Sequence, residues 1–278
     1  IESVTRKGYR LLQSPDLLTR EAVLSCIKKG EIPGELCCFE SIDSTNEEAK
    51  RRGEAGAPDG SIYVADNQTN GKGRRGRTWL SPSGEDIFFT ILLRPDLPLN
   101  SVSMLTLVAA SAVAEAVDKV TGQECQIKWP NDILVNGRKL VGILTEMSGS
   151  MEEISYIVMG IGVNVKTKQE ELPEEIKQIA TSLLMEGVDI ERTEAFKIIL
   201  EELEHQYYDV LDSGFEDTLN EWRKLSVTLN QEIEVRAPGN TYEGVATDID
   251  DDGNLLVKTT NGEVKRIVAG DVSIRPRK

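Results

Sequence analysis

The stretch GKGRRGRTW, residues 71–79, fits two nucleotide-binding patterns in part and neither in full. Gly71, Gly73 and Gly76 have the G-x-G-x-x-G spacing of a dinucleotide fold. Gly71 to Gly76 followed by Arg77 and Thr78 is one residue away from a Walker A loop. Both folds place a helix directly after the glycines, because the helix N-terminus holds the phosphate. Here Thr78-Trp79-Leu80 runs into Ser81-Pro82-Ser83-Gly84, which breaks a helix rather than starting one. Arg77 stands where Walker A needs lysine, and a rigid guanidinium fork is not a flexible ammonium. Lys72, Arg74 and Arg75 would also crowd a turn meant to lie against a pyrophosphate. Neither fold is expected. What remains is a flexible glycine-rich loop with several cations, set between two strands. Such a loop suits folding over an anionic ligand and ordering on it.

A net charge of −15 argues against nucleic-acid binding by the body of the protein, because phosphate contacts need a basic surface. The cluster Lys72, Arg74, Arg75 and Arg77 stands out against that background, either as a local anion site or as a solvated turn. The length of 278 residues allows one large domain or two to three smaller ones. No run of apolar residues is long enough to span a membrane, and the first residues show no signal-peptide core. A cytoplasmic protein with no membrane partner is expected. Cys26, Cys37, Cys38 and Cys125 form no C-x-x-C, so reduced thiols fit best. The single histidine, His205, lies among Glu201, Glu202 and Glu204 on an expected helix. That leaves no zinc site and no Ser-His-Asp triad to be expected.

Around the loop, residues 61–65 and 86–94 read as strands, the second stopped by Pro95. Residues 37–42 alternate like a strand, and Ser44-Thr45-Asn46-Glu47 opens a polar helix with the spacing of a capping box. Helices are expected at 16–29 and 193–211. Over 101–120, Val102, Leu105, Val108, Ala109, Ala112, Val113, Ala116 and Val117 recur at helical spacing, and Gly122 stands where a C-terminal cap belongs. Residues 126–135 and 139–147 read as strands joined by Asn136-Gly137, the strongest short hairpin signal. Residues 154–165 form a third strand, and 166–178 a polar loop holding Pro173. After about residue 228, strand patterns at 232–236, 242–248, 255–258, 264–268 and 272–275 alternate with turn signals. They suggest a small closed barrel.

The segment KWPND, residues 128–132, is the second unusual stretch. Trp129-Pro130 inside a strand pattern demands a bulge or an edge, since proline cannot donate to the ladder. Asn131 and Asp132 then set an amide and a carboxylate at the irregularity. Polar groups in an apolar strand are costly, which favours function over an ordinary hairpin. Lys139 follows the turn on a rigid hairpin, and Gly142 permits close backbone approach. Gly160 and Gly162 weaken a strand interior and mark a ligand or backbone nearby. Thr45 and Asn46 present more polar groups than capping needs.

In order and spacing, five motifs over essentially the whole chain resemble the biotin protein ligases. They are Ser44-Thr45-Asn46; Gln68 with the 71–79 loop; Lys128-Trp129-Pro130-Asn131-Asp132; Arg138-Lys139-Leu140-x-Gly142; and Gly160-Ile161-Gly162-Val163-Asn164. The resemblance implies an α+β fold with a class II aminoacyl-tRNA synthetase-like mixed sheet and helices over 16–227. It adds a small C-terminal SH3-like β-barrel over 228–278. Residues 1–15 would be the remnant of a winged-helix wing and linker. The implied chemistry uses ATP, with Mg²⁺ carried by its phosphates and no protein metal site, and biotin as substrate. Biotin's carboxylate attacks the α-phosphate, giving biotinyl-5′-AMP and pyrophosphate, and a lysine of a biotin carboxyl carrier domain then displaces AMP.

The same resemblance assigns residues. Ser44, Thr45, Asn46 and Gln68 match positions that bind the biotin head group. Lys72, Gly73 and Arg74 match the loop that closes over biotin and the adenylate. Lys139 matches the lysine at the reacting carboxylate, beside Gly142; Lys139 and Arg74 are the expected catalytic pair. Arg74, Arg77, Trp79, Asn131, Asp132, Asn164 and Arg275 fall on the ATP and adenylate side. Trp79 or Trp129 is expected to line the apolar slot. The family more often has arginine where this chain has Lys72, which keeps charge and loses bidentate geometry. A homodimer is expected on adenylate binding. Operator DNA is expected only for a longer form, since Arg6, Lys7 and Arg10 of a wing remnant can touch phosphates without specifying sequence. A lipoate or octanoate ligase and a non-catalytic biotin-sensing regulator are the alternatives. The Arg/Gly loop with Trp-Pro-Asn-Asp weighs against the first, and intact Lys139 and Arg74 against the second.

Overall fold

The computed structural model describes residues 2–4, 8–10, 16–26, 34–150, 153–237 and 239–274. An antiparallel hairpin of β1 (Glu2–Val4) and β2 (Gly8–Arg10) comes first, then α1 (Arg20–Cys26) and β3 (Leu36–Phe39). Next are α2 (Thr45–Glu54), β4 (Ser61–Ala65), β5 (Ile87–Leu93) and α3 (Val102–Thr121). The strands β6 (Gln126–Lys128), β7 (Asp132–Val135), β8 (Arg138–Gly149) and β9 (Ile154–Val163) follow. Helices α4 (Arg192–Ser213) and α5 (Glu216–Leu225) lead to β10 (Glu232–Ala237), β11 (Asn240–Ile249), β12 (Leu255–Thr259), β13 (Val264–Ile267) and β14 (Asp271–Ile274).

A seven-stranded sheet, ordered β3-β4-β5-β9-β8-β7-β6, organises the larger part. Only β3 and β4 pair in parallel; the other ladders are antiparallel, so the sheet is mixed. Helix α3 explains one face. Its Leu105, Ala109, Ala112, Val113 and Ala116 are buried, and small side chains let it lie close to the strands and to α4. Phe89 of β5 meets Phe196 of α4 edge to face, with ring centroids 5.0 Å apart. Gly122 ends α3 at φ 65°, a left-handed conformation that glycine adopts without a Cβ clash. The opposite face is covered by α2, whose Ala49 packs with Tyr63, Leu92, Tyr156 and Val158. Cys37 joins that cluster while Cys38 joins the main core, the opposite-face placement expected of adjacent strand residues.

Several expectations are corrected. Residues 126–135 are two antiparallel strands, not one. The Trp129-Pro130 peptide is cis and lies in the turn between β6 and β7. Proline has no N–H to carry a ladder through that point. The capping box does not form: the Ser44 side chain makes no cap hydrogen bond, and Glu47 pairs with lysines instead. Helix α5 was not expected; its buried Leu219 and Trp222 pack on the core. The C-terminal strands run β13-β12-β11-β10-β14, and no ladder joins β13 to β14 among the described residues, so the five-stranded antiparallel sheet is not closed by hydrogen bonds. Residues 27–30, at the expected end of the first helix, lie outside the described residues. Among the described residues no helix is long and apolar enough to cross a membrane.

Candidate active site

Strand β9 is covered by α2 at Tyr156 and Val158, and two residues further along the same face it turns to glycine. Geometry explains why. A Cβ at Gly160 would run into the side-chain amide of Asn46. A Cβ at Gly162 would lie 2.6 Å from the Trp79 indole, and one at Gly142 of β8 2.5 Å from the same ring. Gly142 and Gly162 are direct partners across the β8–β9 ladder. The three glycines therefore let one tryptophan and one asparagine lie flat on the sheet beyond the N-terminus of α2. The result is a cleft of about 750 Å³ lined by α2, the 71–79 loop, β8 and β9.

Its floor is a neutral hydrogen-bonding set. The Thr45 backbone N–H and hydroxyl approach Gln68 Oε1 at 2.9 and 3.2 Å. Thr90 of β5 brings its hydroxyl to 2.8 Å from Thr45 Oγ1 and 2.7 Å from Asn46 Oδ1. The Asn46 amide donates to Leu144 O and Glu146 Oε2 at 3.2 and 3.0 Å. Gln68 in turn donates to Ser81 Oγ at 2.9 Å. Two buried polar atoms of the cleft have no protein partner, Ser44 Oγ and Trp79 Nε1. Ile143, Leu144 and Ile161 add apolar lining.

The loop itself is folded, not open. Trp79 N–H donates to Gly71 O at 2.9 Å and Gly73 N–H to Arg77 O at 2.8 Å, with Lys72 bridging Thr78 across the pair. The tip turns through Arg75 at φ 57° and Gly76 at φ 76°. Lys72 reaches back to Glu47 at 2.7 Å. Arg74 donates to Asn131 Oδ1 and Gly270 O, both at 3.2 Å. Burial holds its guanidinium below the ordinary arginine value, with Arg75 and Arg77 adding to that and Asp271 and Asp132 opposing it. Arg77 pairs with Asp271 at 2.5 Å, and Arg75 donates to Arg236 O.

Opposite the loop, Lys139 Nζ lies 2.6 Å from Asp132 and 5.1 Å from the Trp79 ring centroid. Asn131 is fixed by donating to Ile143 O at 2.7 Å while its carbonyl accepts from Ile143 N–H at 3.0 Å. Lys139 and Arg74 thus bring two cations to one neutral-floored slot.

Ser44, Thr45, Asn46, Gln68, Lys72, Gly73, Arg74, Arg77, Trp79, Asn131, Asp132, Lys139 and Gly142 all line this one cleft. Asn164 does not: its amide donates to Thr181 O at 2.8 Å and its backbone holds Leu140 and Leu183, so it braces the segment behind Lys139. Trp129 also lies elsewhere, 3% exposed with its indole N–H on Gly253 O, which leaves Trp79 as the lining tryptophan. Arg275 lies outside the described residues. Asp271 lines the cleft and Thr90 lies buried beneath it on Thr45 and Asn46; the motifs singled out neither. His205 is exposed beside Asp209 and takes no part. A separate recess of about 810 Å³ between α3, α4 and the other sheet face is walled mostly by Ile, Leu, Val and Tyr side chains; it lacks convergent polar groups aimed at one point.

Residues 38–164 match the Biotin/lipoate A/B protein ligase family, and residues 228–275 match the Biotin protein ligase C terminal domain. The chain is 38% identical over 275 residues to the bifunctional ligase/repressor BirA of Bacillus spizizenii, covering 99% of this chain and 84% of that protein. It is 34% identical over 236 residues to the biotin–[acetyl-CoA-carboxylase] ligase of Mycobacterium tuberculosis, covering 82% and 85%. The biotin protein ligase of Aquifex aeolicus in complex with biotin and ATP superposes with a TM-score of 0.74 at 30% identity, over 87% of this chain and 99% of that one. Matched along its length in sequence, and in the fold that carries this cleft, the chain belongs to the biotin protein ligase family.

Proposed function

We propose that this chain activates biotin with ATP as biotinyl-5′-AMP and transfers it to a lysine of a biotin carboxyl carrier domain. One observation carries the reading: Lys139 and Arg74 flank a slot whose floor is the neutral hydrogen-bonding set Ser44, Thr45, Asn46 and Gln68. A neutral, polar ureido group fits the Ser44, Thr45, Asn46 and Gln68 floor. The apolar rings and tail lie along Trp79, Ile143 and Ile161. The carboxylate at the end of the tail reaches Lys139, which exchanges Asp132 for it. Arg74 meets the α-phosphate, so two anions approach each other between two fixed cations. Carboxylate oxygen attacks phosphorus and pyrophosphate leaves. The acceptor amine then attacks the acyl carbon and AMP leaves. No enzyme nucleophile is needed; positioning and charge neutralisation supply the rate.

Arg77, Trp79, Asn131 and Asp132 form the nucleotide side of the same slot, with Arg275 assigned there from the motif alone. Asp132 and Asp271 are the nearest carboxylates, and each already holds a cationic side chain. Magnesium therefore comes with the ATP phosphates, held mainly by their oxygens.

The catalytic unit spans residues 16–227 and the C-terminal unit 228–278, a division supported by the separate ladders of the two larger sheets. The β1–β2 hairpin supports reading residues 1–15 as a wing and linker, and a longer form carrying a helix-turn-helix would read operator DNA. Homodimer formation is supported by β8, which among the described residues has no strand on its β7 side beyond Gly142. Free Cys37, Cys38 and Cys125 support a cytoplasmic location. ATP–pyrophosphate exchange tests the substrate, with biotin, lipoate and octanoate offered separately. Biotin alone drives exchange on this reading; exchange with octanoate or lipoate and none with biotin defeats it.

A further inference from the structure

Glu47 stands at the third position of α2, where a capping-box glutamate would fold back on the helix start. It does not. Its carboxylate receives Lys72 of the glycine-rich loop at 2.7 Å and Lys50 at 3.0 Å. Lys50 continues to Glu146 of β8 at 2.7 Å, and Glu146 accepts from the Asn46 amide at 3.0 Å. Asn46 belongs to the cleft floor, with Thr90 buried beneath it. Two lysines and two glutamates thus form a charge-balanced chain from floor to loop. Hydrogen bonds from Lys72 and Lys50 hold the Glu47 carboxyl below its ordinary value.

We propose that Glu47 is a positioning residue that, through Lys72, latches the 71–79 loop over the cleft. This rests on reading that cleft as the biotin-adenylate site. Lys72 then serves the loop's own closure and is not a ligand contact, and this accounts for lysine in place of arginine. A single carboxylate oxygen shared with Lys50 suits a point charge, whereas a guanidinium fork would ask for both oxygens. The link to Asn46 gives the latch a connection to the floor: a ligand that orders Asn46 also orders Glu146, Lys50 and Glu47. The far side of the loop is tied separately, by Arg75 and Arg77 on Asp271, so loss of Glu47 frees one arm and leaves the other.

The test reads the loop without any ligand. An arginine-specific protease cuts the folded protein at Arg74, Arg75 or Arg77, and the cleavage rate reports loop opening. Glu47→Gln and Lys72→Gln should each raise that rate roughly two- to fivefold, the scale of a half-exposed ion pair. High salt should narrow the gap between the wild type and the variants. The double variant Glu47→Gln with Lys72→Gln should be cut no faster than either single variant, because each single change already breaks the one contact they share. If the two residues acted independently, the double variant would be cut faster by the product of the two single effects. Wild-type cleavage rates in both single variants, or independent effects in the double variant, overturn the latch. In a second arm, the Glu47→Gln variant should lose preformed biotinyl-adenylate faster by the same factor, and equal retention also overturns it. Absence of biotin-driven exchange in the wild type would defeat the substrate reading alone, since the protease arm uses no biotin.

Discussion

Lys139 is held between an acid and an indole, 2.6 Å from Asp132 and 5.1 Å above Trp79. In the proposed function an incoming carboxylate would replace Asp132 without moving the backbone, because Lys139 lies on the β7–β8 hairpin and its N–H and C=O are both bonded to residues 179–181. Lys139→Ala should therefore lower single-turnover adenylation by about 10²–10³ with little change in ATP affinity, as expected when one preorganised charge is lost. Rapid-quench measurement checks this, and an unchanged rate removes Lys139 from the chemistry. If Arg74 meets the adenylate as proposed, Arg74→Gly loses one charge-assisted contact and should release the adenylate roughly tenfold to hundredfold faster. Dissociation of labelled biotinyl-adenylate reads this directly. The place of both residues in the cleft lining was legible in the sequence because their motifs are unusual. Thr90 was not, since in IFFTILL it looks like any strand threonine. Only the pairing of β4 with β5 sets it under Thr45 and Asn46. Glu47 was misread because the capping-box spacing is real, while a lysine twenty-five positions later competes for the same carboxylate.

The elements behind the cleft carry as much as the loop in front. Asp86, just before β5, is 2% exposed and accepts from Val165 N–H at 2.7 Å and Thr167 Oγ1 at 2.5 Å. It pins the chain leaving β9, and hence the 164–183 segment that braces Lys139. Asp86→Ala strands those buried donors and should cost roughly 2–4 kcal/mol in urea denaturation, with Asp86→Asn costing less because one acceptor oxygen survives. A loss below about 0.5 kcal/mol, the level of ordinary surface substitutions, would show that Asp86 holds nothing. At this scale α3 and the Asn136-Gly137 hairpin were plain from periodicity and turn chemistry. Helix α5 was missed although Leu219, Trp222 and Leu225 recur at helical spacing. It is short and closely follows Gly214 at the end of α4, so its stripe had little length to show. The strand pattern over 126–135 was split by the one residue type that cannot pass a ladder on, Pro130.

The whole molecule closes the cleft from two sides. Arg74 donates to Gly270 O, and Arg75 and Arg77 meet Asp271, so the C-terminal sheet grips the loop that the large sheet floors. Asp271 was out of reach of motif reading, because nearly two hundred residues separate it from its partners. Asp271→Ala should speed adenylate loss roughly two- to fivefold, in a salt-sensitive way, while leaving denaturant stability near wild type. Stopped-flow retention at two ionic strengths checks it, and unchanged retention would confine the C-terminal sheet to a structural role. Mass spectrometry of an unmodified biotin carboxyl carrier domain, incubated with this chain, magnesium-ATP and biotin, decides whether the slot between Lys139 and Arg74 makes biotinyl-adenylate for a carrier lysine. One biotinyl group on a single lysine, lost with Lys139→Ala, is expected. A carrier domain left unmodified, beside a lipoyl domain that gains octanoyl or lipoyl under the same conditions, defeats the proposed function.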